Sequence, residues 1–153
     1  MPPADDYLVD SNILLRIPRR DDPDHAHVAG AVAALRRSGA ILYFTHQNIA
    51  EFWNVATRPV AVNGFGLSSG EVEQQVRSIE RGMVLLPDGP LVYAAWRDLV
   101  AARSVSGKQV HDARLVAAMI VHGVSRLLTL NTADFARYPE IRAVHPRALA
   151  VLG

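Results

Sequence analysis

Short apolar runs alternate with longer stretches of helical periodicity along almost the whole chain. The runs that read as strands are Tyr7-Leu8-Val9, ending at Asp10, then Ile41–Phe44, Met83–Leu86, Arg126–Leu130 and Arg142–His145. Between them the apolar residues recur every three or four positions, as on one face of a helix. Val28, Val32 and Leu35 form such a face in a helix that Asp24 can cap and Gly39 follows. Thr45 or His46 opens a helix through Asn48–Thr57, with Pro59 beyond its end. Ser68 and Glu71 have the spacing of a capping box ahead of Val72, Val76, Ile79 and Met83. Asp88 is the expected cap of a helix that turns Leu91, Ala95 and Leu99 inward, with Trp96 beside them. A short helical turn through Ile13–Leu15 is stopped by Pro18.

The stretch Lys108–Phe135, KQVHDARLVAAMIVHGVSRLLTLNTADF, shows the pattern most completely. Asp112 falls in the first turn of a helix whose apolar face is Leu115, Val116, Met119 and Ile120. Gly123 suits the residue just past a helix end. A strand-length run follows, and Asn131–Phe135 leaves it. Strands that are apolar throughout, rather than alternating, are covered on both faces. Strands alternating with helices imply right-handed crossovers. The expected fold is therefore a three-layer α/β domain with a mainly parallel central sheet flanked by helices. At 153 residues, one domain spanning 1–153 is the natural expectation.

Composition narrows the chemistry. The chain has no cysteine, so disulfides and thiolate metal sites are excluded, and a reducing compartment such as the cytoplasm fits. Its formal net charge of +1 gives no bulk electrostatic argument for nucleic acid, so such a partner has to be argued from a site. No apolar run approaches the roughly 18 residues of a membrane span. The N-terminal MPPADDYLVD lacks the basic and apolar regions of a signal peptide.

Four carboxylates stand out by position. Asp10 ends the first strand, Glu51 lies one to two turns into the helix after the second, Asp112 opens its helix, and Asp134 follows the next strand. All belong to the carboxyl-end side of the sheet, where open α/β sheets bind ligands. Each also has a plainer reading: Asp10, Asp112 and Asp134 as helix caps or dipole partners, Glu51 as a solvated residue. Glu51 resists this best, because Ile49, Phe52, Trp53 and Val55 surround it. Converging carboxylates repel one another, and the usual resolution is a hard divalent cation with oxygen ligands, Mg²⁺ or Mn²⁺ rather than Zn²⁺. The other candidates read more simply. His25 and His27 lack a third ligand, and His111 reads as packing or capping. Lys108 and Arg114 bracket Asp112 and read as solvated cations that could meet a phosphate. Arg16, Arg19 and Arg20 are offset at once by Asp21, Asp22 and Asp24, and Trp53 and Trp96 read as core.

At these residues the sequence resembles the PIN-domain family, and most closely its small VapC-type toxin members. The resemblance is carried by LVDSN with Asp10, NIAEFWNV with Glu51, HDARLVA with Asp112 and TLNTADF with Asn131 and Asp134, in that order. It implies a PIN-like fold and a ribonuclease cleaving RNA phosphodiester bonds with Mg²⁺ or Mn²⁺. It also implies an antitoxin partner and a homodimer, for which the apolar, Trp-bearing helices are the candidate interface. It makes Asp10, Glu51, Asp112 and Asp134 both the catalytic and the metal-binding residues, with Ser11, Asn12 and Asn131 supporting. Whether Asn131 or Asp134 is the fourth ligand stays open, as does the number of ions. The alternative is a PIN-like RNA- or protein-binding module whose site has decayed. An aspartyl phosphotransferase fits less well: Asn12 stands where a second acid is wanted, and the chain's single lysine, Lys108, is not at a receiver-domain position. The segment Arg58–Leu67 has no role in this reading.

Overall fold

Tyr7, Leu8 and Val9 are all buried, so the first apolar run becomes the middle strand of the sheet, β1 (Tyr7–Val9). The computed structural model describes residues 5–150. After β1 come α1 (Ser11–Leu14), α2 (His25–Arg37), β2 (Leu42–Thr45) and α3 (His46–Thr57). Next are α4 (Ser69–Gly82), β3 (Val84–Leu86), α5 (Pro90–Ala102) and α6 (Gln109–His122). The described chain ends with β4 (Arg126–Leu128), β5 (Arg142–Val144) and α7 (Pro146–Ala150), and 3-10 turns lie at Val60–Val62 and Thr132–Phe135. The five strands run parallel in the order β3-β2-β1-β4-β5.

This order explains where a site forms. From β1 the chain steps outward through β2 to β3, then crosses back to β4 on the other side of β1. The connections into and out of this reversal part at the carboxyl ends of β1 and β4, leaving a crevice there. Asp10 follows β1 and Thr129 follows β4, and Asp10 N–H donates to the Leu128 carbonyl at 3.0 Å. Strand alternation sorts the core into two layers. Tyr7, Val9, Phe44 and Leu128 pack with residues of α1, α2, α3 and α4. Leu8, Leu127 and Leu86 face the other way, onto α5 and α6. Among the described residues, no helix is long and apolar enough to cross a membrane.

Helix ends follow the sequence in part. Thr45 and Asn48 form a reciprocal capping box at the start of α3. Ser68 accepts from Glu71 N–H at 3.1 Å, but the return bond from the Glu71 side chain is not made. Gly123 closes α6 with φ +71°, a left-handed conformation that glycine adopts without strain. One expected cap acts through its backbone only, and another is displaced. Asp24 precedes α2 without a side-chain cap bond and lies 3.8 Å from Arg16 Nε instead. The N-cap of α5 is Gly89, with Pro90 in the first turn, and Asp88 pairs with Arg114. Leu99 is buried and Ala95 packs on the core as expected, but Val92 is the inward residue of the first turn and Leu91 is 72% exposed. Ile120 is also exposed, because α6 buries Ala113 and Leu115–Met119, a face rich in alanine.

The segment Arg58–Leu67 is not a loose loop. Phe65, Gly66 and Leu67 donate their N–H groups back to Val55, Arg58 and Ala56 at the end of α3. Gly64 lies so close to the Arg58 carbonyl that a Cβ would sit 1.9 Å from it, so no other residue fits there. The Arg19 guanidinium stacks 3.6 Å from the centre of the Phe65 ring, joining this segment to the loop before α2. Trp53 and Trp96 pack against the two core layers, and Trp96 Nε1 donates to the Val110 carbonyl at 2.8 Å.

Candidate functional site

Asp10 leaves the end of β1 in extended conformation and caps α1, accepting from Ser11 N–H at 2.8 Å. Capping was its plainer reading, yet the carboxylate has more partners than a cap needs. Thr129 Oγ1 donates to it at 2.9 Å, and Asn12 Nδ2 approaches the same oxygen at 3.4 Å. Asn12 also donates to Thr129 Oγ1 at 3.1 Å, and its own oxygen accepts from Leu130 N–H at 3.1 Å. Thr129 has one hydroxyl hydrogen, spent on Asp10, while its lone pairs receive Asn12 and Asn131 N–H. The start of α1 is thereby stitched to the exit of β4. Burial pushes the Asp10 pKa up, and Glu51 adds to it, against the donors from Thr129 and Ser11.

Glu51 is reached through Ser11. The Ser11 hydroxyl donates to Glu51 Oε2 at 2.6 Å, so its 3.5 Å approach to Asp10 is a contact without a second hydrogen to give. Glu51 Oε1 accepts from Gln47 Nε2 at 2.9 Å, one turn earlier on α3. The capping box at Thr45 sets where this helix begins, and so where Glu51 points.

Asp112 is half-buried in the opening turn of α6. Its pKa is raised to about 6, first by desolvation, then by the charges of Asp10, Asp134 and Glu51, with His111 opposing. All four predicted carboxylates therefore share one electrostatic neighbourhood. Asp134 is exposed on the 3-10 turn Thr132–Phe135. Asn131 enters through its backbone: its N–H donates to Thr129 and its carbonyl accepts from Asp134 N–H at 3.1 Å. None of the ion pairs among the described residues involves these four acids. Asp10 and Glu51 are held by their hydrogen-bond donors, and no three His, Asp or Glu side chains among the described residues are gathered closely enough to grip one ion.

Beside Glu51 a cleft of about 250 Å³ is lined by His46, Gln47, Ala50, His111 and Arg114. A larger cleft of about 720 Å³ shares His111 and Arg114 and extends to Tyr93 and Trp96 on α5. The larger one is mostly apolar and holds none of the four acids, so the smaller is the one that belongs to the acidic site. Arg16 is tied to Asp22, as the local charge balance in the sequence suggested, whereas Arg114, which read as a solvated cation, is tied to Asp88.

Thr129 and Gln47 were not singled out from sequence. Thr129 had one signal, being the single hydroxyl inside the apolar run Arg126–Leu130. Gln47 had one too, standing four residues before Glu51 and thus on the same helix face.

Residues 7–141 match the PIN domain family. Ribonuclease VapC24 of Mycobacterium tuberculosis is 29% identical over 143 residues, covering 90% of this chain and 94% of that protein. Solved structures with the same fold include VapBC2 from Rickettsia felis bound to a promoter DNA fragment. It has a TM-score of 0.66 and 12% identity, over 91% of this chain and 97% of that one. Mycobacterium tuberculosis VapC20, described as a sarcin-ricin loop cleaving toxin, has a TM-score of 0.64 and 14% identity, over 89% and 98%. The family match runs from β1 nearly to β5 and takes in Asp10, Glu51, Asp112 and Asp134, and the chain belongs to the PIN domain family.

Proposed function

We propose that this protein is a Mg²⁺- or Mn²⁺-dependent endoribonuclease, the toxin of a toxin–antitoxin pair, acting through Asp10, Glu51, Asp112 and Asp134. The observation that carries the proposal is Asp112, whose pKa of about 6 reflects burial among three like charges, with no lysine or arginine among the described residues paired to any of the four. Gathering such charge opposes folding unless a cation offsets it. The donor set fits: it is all oxygen, as a hard divalent ion wants. The relative named ribonuclease, matched over 94% of its length, supports the same substrate class.

Bound there, a divalent ion would supply a Lewis acid that activates water and offsets charge on the phosphate. The remaining work falls to the chain's own residues. Asp10 is the rigid member, held by the Ser11 N–H and the Thr129 hydroxyl. Glu51 is oriented through both oxygens by Ser11 and Gln47. Asp112 and Asp134 are less constrained, and the side-chain movement needed to bring three acids onto one ion falls mainly to them. His46, His111 and Arg114 line the adjoining cleft and offer hydrogen-bonding groups to an RNA strand's phosphates.

The same reading includes a cytoplasmic setting, an antitoxin protein as partner and a homodimer. Its direct test is cleavage of a mixed RNA pool with Mg²⁺ or Mn²⁺, in EDTA, and with Asp10→Asn. Cleavage should need the metal and vanish in the variant. Undiminished cleavage in EDTA would refute the metal site, and no cleavage under any condition would favour the binding-module alternative.

A further inference from the structure

We infer that Gln47 is a positioning residue that locks the Glu51 carboxylate to the turn of α6 carrying Asp112. The inference rests on the metal reading of the acidic site proposed above. Gln47 Nε2 donates to Glu51 Oε1 at 2.9 Å and to the His111 carbonyl at 2.9 Å. Both partners are acceptors, so the amide can be oriented only one way, and both of its hydrogens are used. One planar group therefore spans α3 and α6, touching a proposed metal ligand on one side and the residue before another on the other side.

The other end of this amide is left unsatisfied. Gln47 Oε1 is buried and has no hydrogen-bond partner among the described residues. An orphaned buried acceptor opposes folding, and one in a native structure calls for an explanation. A residue placed for stability alone gains nothing by it. Holding Glu51 supplies the reason: without Gln47, only Ser11 would restrain that carboxylate against repulsion from the acids around it. With it, one Glu51 oxygen is referenced to α1 and the other to α6. The separation of Glu51 from the Asp112 turn is then set by a single rigid group. Outer partners of this kind orient metal ligands, and their loss typically lowers metal affinity 10- to 100-fold.

The test is Gln47→Met, which keeps the length of the side chain and removes both donors. Two measurements are made on the full chain: Mn²⁺ affinity by titration calorimetry, and melting temperature in EDTA. Gln47→Ala serves as a second variant should the Met side chain pack poorly. The expected result is Mn²⁺ affinity lowered about 10-fold or more, with a metal-free melting temperature equal to or above the parent's. Where RNA cleavage is followed, kcat should fall while KM stays near the parent's. A lower metal-free melting temperature with Mn²⁺ affinity unchanged would make Gln47 a structural link and overturn the inference. Equal Mn²⁺ affinity in parent and both variants would overturn it too. A parent that binds no Mn²⁺, indistinguishable from Asp10→Asn, would overturn the metal reading itself and this inference with it.

Discussion

Replacing Asp112 with Asn should raise the melting temperature of the metal-free protein at neutral pH while abolishing cleavage. The carboxyl's pKa moves from 3.8 to about 6 on folding. A shift of about 2 units corresponds to roughly 3 kcal/mol of differential interaction between its charged and neutral forms. Asp112 is only half-buried, and solvent screening reduces this to about 1.5 kcal/mol. A charge in the first turn of a helix returns about 0.5 kcal/mol through the dipole, which Asn forgoes. The net gain for Asn is about 1 kcal/mol, or about 2–4 °C in melting temperature for a chain of this size.

The sign with pH follows from the same shift. A folded-state pKa above the unfolded one means that the native state holds its proton more tightly. The penalty is therefore absent below about pH 4, grows as pH rises through about 6, and is complete above that. Parent and variant in EDTA should melt together near pH 4 and separate above pH 6, with the variant higher. Added Mn²⁺ should reverse the order, because it stabilises the folded parent by about 2.7 kcal/mol at 100 times its Kd and the variant by less. The assay is a set of thermal melts from pH 4 to 8 with EDTA or Mn²⁺. A variant that melts lower at pH 7, with a gap that does not depend on pH and an unchanged response to Mn²⁺, would make Asp112 an ordinary helix-terminal aspartate and remove it from the site.

Other perturbations separate the remaining residues. Asp134 carries a charge felt at Asp112, whereas Asn131 contributes its backbone, so Asp134→Asn should weaken Mn²⁺ binding more than Asn131→Ala does; calorimetry showing the opposite order would reassign the ligand. Thr129→Val should cost about 1–3 kcal/mol in a urea melt, because it withdraws a donor from buried Asp10 and leaves Asn12 and the Asn131 N–H short of an acceptor. An unchanged midpoint would mean that this network contributes nothing net. Light scattering at micromolar concentration should give the mass of a homodimer, and a monomer there would count against that part of the functional reading.

Element types were legible because each run's burial is written in its composition. The central strands β1, β2 and β4 are apolar with both faces largely covered, whereas edge strand β3 leaves Val84 and Leu85 exposed, and five short runs became five parallel strands within a residue or two of expectation. What failed was helix phase. Leu99 is buried and Ala95 packs on the core as expected, but at the start of α5 the inward residue is Val92 rather than Leu91. Periodicity fixes spacing along a helix but not the rotation of the whole stripe, which depends on the cap and on the layer beneath. The order of the strands was equally hidden, because nothing local to β4 says that it crosses back to lie beside β1.

That crossing is what makes the acidic site hard to read from residues alone. Asp10 and Asp134 are far apart in sequence, and only the pairing of β1 with β4 brings their loops together. The ordered set of acids was legible because each sits at an element boundary, where a carboxylate is either a cap or a ligand. Sequence could not decide between those roles, and in the structure the cap at Asp10 uses only one of its two carboxylate oxygens. One oxygen caps α1 through the Ser11 N–H while the other takes the Thr129 hydroxyl. The parts that were not singled out, Thr129 and Gln47, are neutral groups whose meaning depends on a partner supplied by another element. A hydroxyl beside a strand end and an amide one turn before a glutamate are commonplace until the fold sets Asp10 against one, and Glu51 with the His111 carbonyl against the other. Charged ligands announce themselves by the energy of burying them, whereas the groups that aim those ligands become visible only in the assembled crevice.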